Sequence, residues 1–206
     1  MNESGILVIL SGPSGCGKDT VIEELMKNND RVTVSVSSTT RAKRDNETDG
    51  VNYNFVTAEE FRRLIDNGEM LEYAEYNGNL YGTPIGPIKT QLEKGKIVIL
   101  KIEVKGAGKV TEKLGDDVVS IFLAPPSFEE LKRRLILRNT ETPEELRGRL
   151  NIALSELKCA KDYDYTVIND DLAVAVFDIL SIFNAEGKRT KRNLERLSEV
   201  CKNAEM

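Results

Sequence analysis

Residues 6–20 read Ile6-Leu7-Val8-Ile9-Leu10-Ser11-Gly12-Pro13-Ser14-Gly15-Cys16-Gly17-Lys18-Asp19-Thr20. The unbroken apolar run Ile6–Leu10 predicts a buried strand. It feeds a glycine-rich turn and then a helix, the setting a phosphate-binding loop requires. Gly12, Gly15 and Gly17 let successive backbone N–H groups converge on one anion. A helix starting near Lys18 aims the positive end of its dipole at the same place. Lys18 is positioned to reach the β- and γ-phosphates of a nucleotide. The strict pattern GxxxxGK[ST] has a hydroxyl at the next position, where this chain has Asp19. The bland alternative, a glycine-rich turn with no ligand, is disfavoured by the strand ahead of it.

The chain has 206 residues, 40% of them hydrophobic and 31% charged, enough for one soluble domain with a substantial core. A net charge of −5 argues against a general nucleic-acid binder, while leaving small phosphorylated ligands open to local basic clusters. Cys16, Cys159 and Cys201 are too few and too scattered for a disulfide framework or a metal cage, so a reducing, cytoplasmic setting is expected. Cys16 reads as a small residue that fits the loop, in preference to a reactive thiol. The opening Met-Asn-Glu-Ser-Gly lacks a basic region and is not read as a signal peptide. No apolar run approaches the roughly 18 residues of a membrane span. The absence of histidine excludes His-based acid–base catalysis, His triads and His-metal sites. Chemistry must rest on Lys, Arg, Asp, Glu, Tyr, backbone and bound metal, which suits phosphoryl transfer.

Strands are expected at about 5–11, 32–37, 96–102, 118–124 and 164–169, with helices at about 18–28, 84–94, 127–138, 143–161 and 171–185. This alternation predicts an α/β fold, a parallel sheet with helices on both faces. Ile97–Leu100 and Val118–Ala124, interrupted only by Ser120, fit central strands. Residues 37–83 break the pattern with a basic run, short aromatic strands and the hairpin signal Asn77-Gly78, so a small mixed sheet is inserted there. An arginine-dense excursion at about 132–149 predicts two helices, the second capped by Thr142 with Pro143 as its first residue. The organisation expected is a single domain over 1–206: core 1–36, 84–131 and 150–186, an inserted subdomain 37–83, a helical lid 132–149 and a basic helical tail 187–206. The tail reads as an amphipathic helix packing on the core.

Several ordered motifs accompany the phosphate loop: Ser37-Ser38-Thr39-Thr40-Arg41 with Arg44 and Glu47, Asp49-Gly50-Val51-Asn52-Tyr53-Asn54-Phe55, and Glu72-Tyr73-Ala74. Further along come Gly78-Asn79-Leu80-Tyr81-Gly82-Thr83, Phe122-Leu123-Ala124-Pro125-Pro126-Ser127 and Asp164-Tyr165-Thr166-Val167-Ile168-Asn169-Asp170. Together they resemble the guanylate kinases, nucleoside monophosphate kinases that move the γ-phosphoryl group of ATP to GMP, over about residues 4–183. The resemblance implies a P-loop core with an inserted GMP-binding subdomain and a lid. It implies ATP and GMP as partners, Mg²⁺ carried with ATP, and neither nucleic acid nor membrane.

The resemblance assigns ATP to Gly12, Pro13, Ser14, Gly15, Cys16, Gly17, Lys18, Asp19 and Thr20, with Asn169 beside the donor base. Lys18 and the lid arginines Arg134, Arg138 and Arg149 neutralise the transferring phosphates. Arg133 and Arg147 read as solvated helix-face residues. Arg41 and Arg44 clamp the acceptor phosphate, whose geometry suits bidentate arginine, with the Tyr53 and Tyr81 hydroxyls completing the cradle. Glu47 belongs to the same GMP-binding group. Guanine offers N1–H and N2–H₂ donors and an O6 acceptor; Glu72 matches the donors, and Ser37 and Thr83 match O6.

Where the family usually reads acid-Ile-Asp-Val-Gln-Gly, this chain reads Lys101-Ile102-Glu103-Val104-Lys105-Gly106. Glu103 keeps a carboxylate toward guanine with one extra methylene, and Lys101 reverses a charge near the expected metal. Asp19 and Lys101 look like exchanged charges, with Asp19 contacting Mg²⁺, directly or through water, and Lys101 pairing with it; equally open is that Asp19 points to solvent, Thr20 supplies the only hydroxyl and Lys101 pairs elsewhere. Two alternatives stand beside this reading. One is a guanylate-kinase-like interaction module without transfer, against which the retained glycines and Lys18 argue. The other is a P-loop kinase for another phosphorylated acceptor.

Overall fold

Strand β1 (Ile6–Ser11) is buried along its whole length. The computed structural model describes residues 4–76, 78–137 and 142–202. Strands β2 (Val32–Val34), β7 (Ile97–Lys101), β1, β8 (Val118–Ala124) and β9 (Tyr165–Ile168) lie side by side in that order. All of their pairings are parallel, with Leu7 opposite Val98 on one side and Val118 on the other. Successive side chains point to opposite faces of a strand. Ile6, Val8 and Leu10 therefore pack under α1 (Lys18–Asn28) and α7 (Leu172–Gly187), while Leu7 and Ile9 pack under α3 (Ile85–Glu93) and α4 (Val104–Leu114). With both faces covered, the central strands have no polar alternation to show.

The exception, Ser120, has a specific partner. Strand β9 pairs with β8 only from Tyr165 opposite Ile121, so the Ser120 N–H lies just before the ladder begins. Asp164 fills that place: Oδ2 accepts from Ser120 N at 2.8 Å and from Ser120 Oγ at 2.7 Å, and Asp164 N donates back to Oγ at 3.0 Å.

The inserted mixed sheet is present as β4 (Asn54–Phe55), β3 (Ser38–Thr39), β6 (Asn79–Pro84) and β5 (Met70–Tyr76), in that order. Strand β3 runs parallel to β4 and antiparallel to β6. The β5–β6 hairpin closes from Tyr76 opposite Asn79; Asn77 of the turn signal lies outside the described residues. The expected 32–37 strand is shorter than its sequence pattern, because the chain leaves the large sheet after Val34 and enters the small one at Ser38.

Two helices were not anticipated. Helix α2 (Ala58–Asp66) is started by Thr57, whose Oγ1 accepts from Glu60 N at 3.1 Å, and it buries Phe61. Helix α4 contains Gly106 and Gly108 beside β-branched Val104, Val110 and Thr111, a composition of low intrinsic helix propensity. Burial of Ala107 and Val110 on the sheet overrides it.

Helices α5 (Phe128–Leu137) and α6 (Pro143–Leu157) form the arginine-dense excursion and carry their own apolar cluster, Leu131, Leu135 and Ala153. Thr142 and Glu145 close the reciprocal capping box at the start of α6. The tail differs from expectation. Helix α8 (Leu194–Lys202) leaves Leu194, Leu197 and Val200 exposed, because α1 and α7 already cover the sheet face it would need. The chain is anchored before α8 by buried Glu186, which accepts from Tyr165 Oη at 2.6 Å and pairs with Arg189 at 2.9 Å. No helix among the described residues is long and apolar enough to cross a membrane.

Asp164→Ala strands the buried Ser120 N–H and hydroxyl together, so it is expected to cost about 1–3 kcal/mol. Urea unfolding of the variant against wild type measures this; an unchanged midpoint contradicts it.

Candidate active site

The phosphate loop leaves the carboxyl end of β1 and is held by its neighbours. At Gly12 (φ +145°) a Cβ would lie 2.1 Å from the Leu123 carbonyl oxygen, so the loop runs directly against β8. Gly17 caps α1 in the left-handed region (φ +95°), where a Cβ would lie 2.5 Å from Asn169 Nδ2. Asn169 is buried, and its Nδ2 donates to the Cys16 carbonyl at 2.8 Å. Its own N–H donates to Ala124 O at 2.8 Å. Asn169 is thus a brace beneath the loop, with its amide N–H spent on loop backbone. Cys16 is fully buried; burial pushes its thiol pKa up despite the nearby Lys18, consistent with a residue that packs.

Lys18 folds back into the loop, with Nζ 2.5 Å from Gly12 O, 3.1 Å from Pro13 O and 3.7 Å from Cys16 Sγ. Ser14, Asp19 and Thr20 face solvent. Asp19 Oδ1 pairs with Lys101 Nζ at 2.7 Å, joining the first turn of α1 to the end of β7.

A second group of residues gathers around the small sheet. Arg41 makes a two-pronged contact with Glu47, Nη1 to Oε2 at 3.0 Å and Nη2 to Oε1 at 2.7 Å. The guanidinium lies 5.6 Å from the Tyr53 ring centroid and 5.7 Å from that of Phe55, within cation–π range. Tyr53 in turn meets Tyr81 edge to face at 6.0 Å. Glu47 Oε2 also accepts from the Arg44 backbone N–H at 2.9 Å. The Arg41 hydrogen bonds, followed by the Arg44 N–H, hold the Glu47 pKa down at about 2. Glu47 therefore sits behind Arg41 as its orienting partner, and the Arg44 side chain is exposed.

Glu72 on β5 stands directly opposite Thr83 on β6. Thr83 is buried and donates its hydroxyl to Glu72 Oε1 at 2.7 Å. Expected as a partner of O6, Thr83 here gives its hydroxyl proton to the carboxylate and so orients Glu72. Burial raises the Glu72 pKa, more than the Thr83 hydrogen bond and the Lys109 charge lower it. Ser37, Tyr53, Glu72, Tyr81, Lys101 and Glu103 all line one cavity of about 350 Å³.

A larger cavity of about 680 Å³ adjoins it between α4 and α6, sharing Glu103 and Lys105. Glu156 lines that cavity and has no motif around it in the sequence. Burial raises its pKa, opposed by Lys18 and the Ser14 N–H, so it faces the phosphate loop. Only the fold, which returns α6 past the loop, reveals it.

On the arginine-dense side, Arg134 Nε pairs with Glu130 at 2.8 Å, and its Nη2 donates to the Asn169 carbonyl at 3.0 Å. Arg134 thereby joins α5 to the loop's brace. Arg133 pairs with the same Glu130 at 2.6 Å and is 62% exposed, as a helix-face residue should be. Arg149 lies on the exposed side of α6, and Arg138 falls outside the described residues.

The sequence model of the family described as guanylate kinase matches residues 4–186. A guanylate kinase of Halalkalibacterium halodurans is 46% identical over 198 residues, covering 96% of this chain and 97% of that one. A guanylate kinase of Streptococcus agalactiae is 45% identical over 203 residues, covering 98% and 97%. Among solved structures, the guanylate kinase from Anaplasma phagocytophilum superposes with a TM-score of 0.76 at 37% identity, over 97% of this chain and 96% of that chain. A phosphate loop, a second cavity walled by a half-buried carboxylate, and near-full-length likeness on this scale lead to one conclusion: the chain belongs to the guanylate kinase family.

Proposed function

We propose that the chain carries out the ATP:GMP phosphotransfer of its family with the loop as donor site and the Glu72 cavity as acceptor site. An oxygen of the GMP phosphate attacks the γ-phosphorus of ATP, the bond to the β–γ bridging oxygen breaks, and ADP and GDP result. The observation that carries the acceptor assignment is the half-buried Glu72 carboxylate, fixed by Thr83 in a cavity that also holds Ser37, Tyr53, Tyr81 and Glu103. A carboxylate held this way accepts from guanine N1–H and N2–H₂ and faces a lone pair at N1 of adenine. Ser37 is the O6 partner, and Glu103 the second carboxylate near the base.

At the phosphate end, Arg41 is held by Glu47 and stacked on Tyr53; with Arg44 and the Tyr53 and Tyr81 hydroxyls it binds and orients the attacking phosphate. Lys18 leaves the Gly12 and Pro13 carbonyls for the β- and γ-phosphates that enter the loop. Asn169 serves ATP through the backbone it braces. Arg134, Arg138 and Arg149 approach as residues 132–149 close as a lid over the inserted 37–83 subdomain and the core. They meet charge that develops on the transferring group where water is excluded.

Mg²⁺ brought by ATP fits the chemistry of the loop. Asp19 Oδ2 and the Thr20 hydroxyl, both solvent-facing at the start of α1, would hold it while it keeps its waters and phosphate ligands. When bound, it neutralises charge on the β- and γ-phosphates.

Wild type is expected to favour GMP over AMP at least about tenfold in kcat/KM, since leaving a half-buried carboxylate against a lone pair costs about 1–3 kcal/mol. Glu72→Gln loses most of that preference in a coupled ADP-release assay, and equal rates with both acceptors in wild type contradict the reading. Guanine needs the ionised carboxylate, so the KM for GMP rises as pH falls through the raised Glu72 pKa. The same shift makes ionised Glu72 a cost to folding that grows as pH rises out of the ordinary carboxylate range. Glu72→Gln is therefore as stable as wild type at neutral pH, or more so.

Glu47 has the opposite sign. Its pKa falls from 4.5 to about 2 on folding, so its stabilising contribution is full above 4.5 and is lost as pH falls toward 2. Glu47→Gln should raise the KM for GMP at neutral pH. Its stability deficit against wild type should shrink through that acid window in pH-resolved urea titrations. A deficit independent of pH would mean the Arg41 pairing does not carry it.

A further inference from the structure

Lys101 ends β7 and Asp19 opens α1, and their ion pair of 2.7 Å spans the ground between the phosphate loop and the acceptor cavity. Lys101 is opposite Leu10 in the sheet, which places its backbone level with the strand end that feeds the loop. Its side chain lines the same cavity as Glu72, Tyr53 and Tyr81. Lys109, another cation of that cavity, is engaged at the base end: its Nζ donates to Tyr73 O at 3.3 Å, and its charge acts on Glu72. The Asp19–Lys101 pair is open to water, at 69% and 48% side-chain exposure, so screening leaves it little value as a stabilising contact. Its position, joining the ends of two substrate sites, is what distinguishes it.

We propose that Lys101 is a further substrate-contacting residue, whose ammonium binds the phosphate of the acceptor nucleotide, and that Asp19 is the residue positioning it. The inference rests on the reading of the cavity as the GMP site. An ammonium has three donors; Asp19 takes one and leaves the others for phosphate oxygens. A lysine is a compact charge on a flexible four-carbon stem, and anchoring it at Asp19 removes part of the ordering cost of that contact. The carboxylate would otherwise repel the incoming phosphates, and the same pairing offsets it. Lys101 thus adds a cation to the Arg41 and Arg44 clamp at a position where the family usually has an acid.

The test is calorimetric titration of the whole chain with GMP, AMP and guanosine, in EDTA and without ATP, so that neither turnover nor metal enters. K101M is expected to weaken GMP binding about tenfold, the scale of one charge-assisted contact, and to leave guanosine within about twofold of wild type. Unchanged GMP affinity, or equal losses for GMP and guanosine, overturns the proposal. K101M also unmasks Asp19, so the comparison is repeated in the D19N background. A GMP loss that persists there supports a direct contact, whereas identical affinities of D19N and D19N/K101M reduce Lys101 to a mask for Asp19 and overturn it. D19N should weaken GMP binding while Lys101 is present and fail to weaken it in K101M. An equal loss in both backgrounds removes the positioning role. Guanosine binding serves as the control for folding, and preference of wild type for GMP over AMP tests the acceptor site separately from Lys101.

Discussion

Everything at the phosphate loop depends on how closely the chain after β1 is pressed against the ends of β8 and β9. A methyl group at Gly12 would overlap the Leu123 carbonyl, and one at Gly17 would overlap the Asn169 amide. Both residues also take positive φ, where glycine alone is unstrained. Those contacts hold the backbone N–H groups in place before any anion arrives. Asn169 serves both ends of the arrangement: its amide holds Cys16 O while its backbone extends from β9 to Ala124. The position of the loop is therefore a consequence of β1 lying at the centre of a sheet buried on both faces, with β8 as its direct neighbour.

The cations around this centre share a second feature. Arg41 rests on Glu47, Arg134 on Glu130, Lys101 on Asp19, and Lys18 on the Gly12 and Pro13 carbonyls. A net charge of −5 is compatible with an anion-binding protein because each positive side chain is held locally by an acceptor of similar reach. Partly exposed pairs of this kind contribute little to stability, so on the proposed reading the cations turn their remaining donors to phosphate oxygens at little cost. Glu47 differs in degree. It accepts from both Arg41 and the Arg44 backbone, and so holds Arg41 in a fixed orientation.

Glu72 obeys the reverse logic. Its burial disfavours its charge, and Thr83 across the hairpin offsets only part of that. A ligand that supplies paired donors relieves the desolvation, whereas one that supplies a lone pair leaves it in force. On the proposed reading, selectivity at this cavity is bound to a carboxylate whose charge the fold itself does not favour.

The sequence by itself determined the parallel α/β core, the phosphate loop, the inserted mixed sheet and the capped helix at Thr142, because each is written in local pattern. These patterns are continuous apolar runs, glycine spacing, the Asn77-Gly78 turn and an N-cap threonine followed by proline. The resemblance of the sequence to the guanylate kinases also singled out Arg41, Glu72, Tyr53, Tyr81 and, as a departure from the family pattern, Lys101. Tertiary structure alone decided what those side chains do to one another. The Thr83 proton goes to Glu72, Asn169 lies beneath the loop, and Ser120 answers Asp164, pairings between residues 11, 153 and 44 positions apart. It also brought Glu156 to the loop and made a helix of the glycine-containing segment α4. The reason is physical: propensity and periodicity act within a few residues, whereas burial and hydrogen-bond partnership depend on which distant segments the sheet brings together.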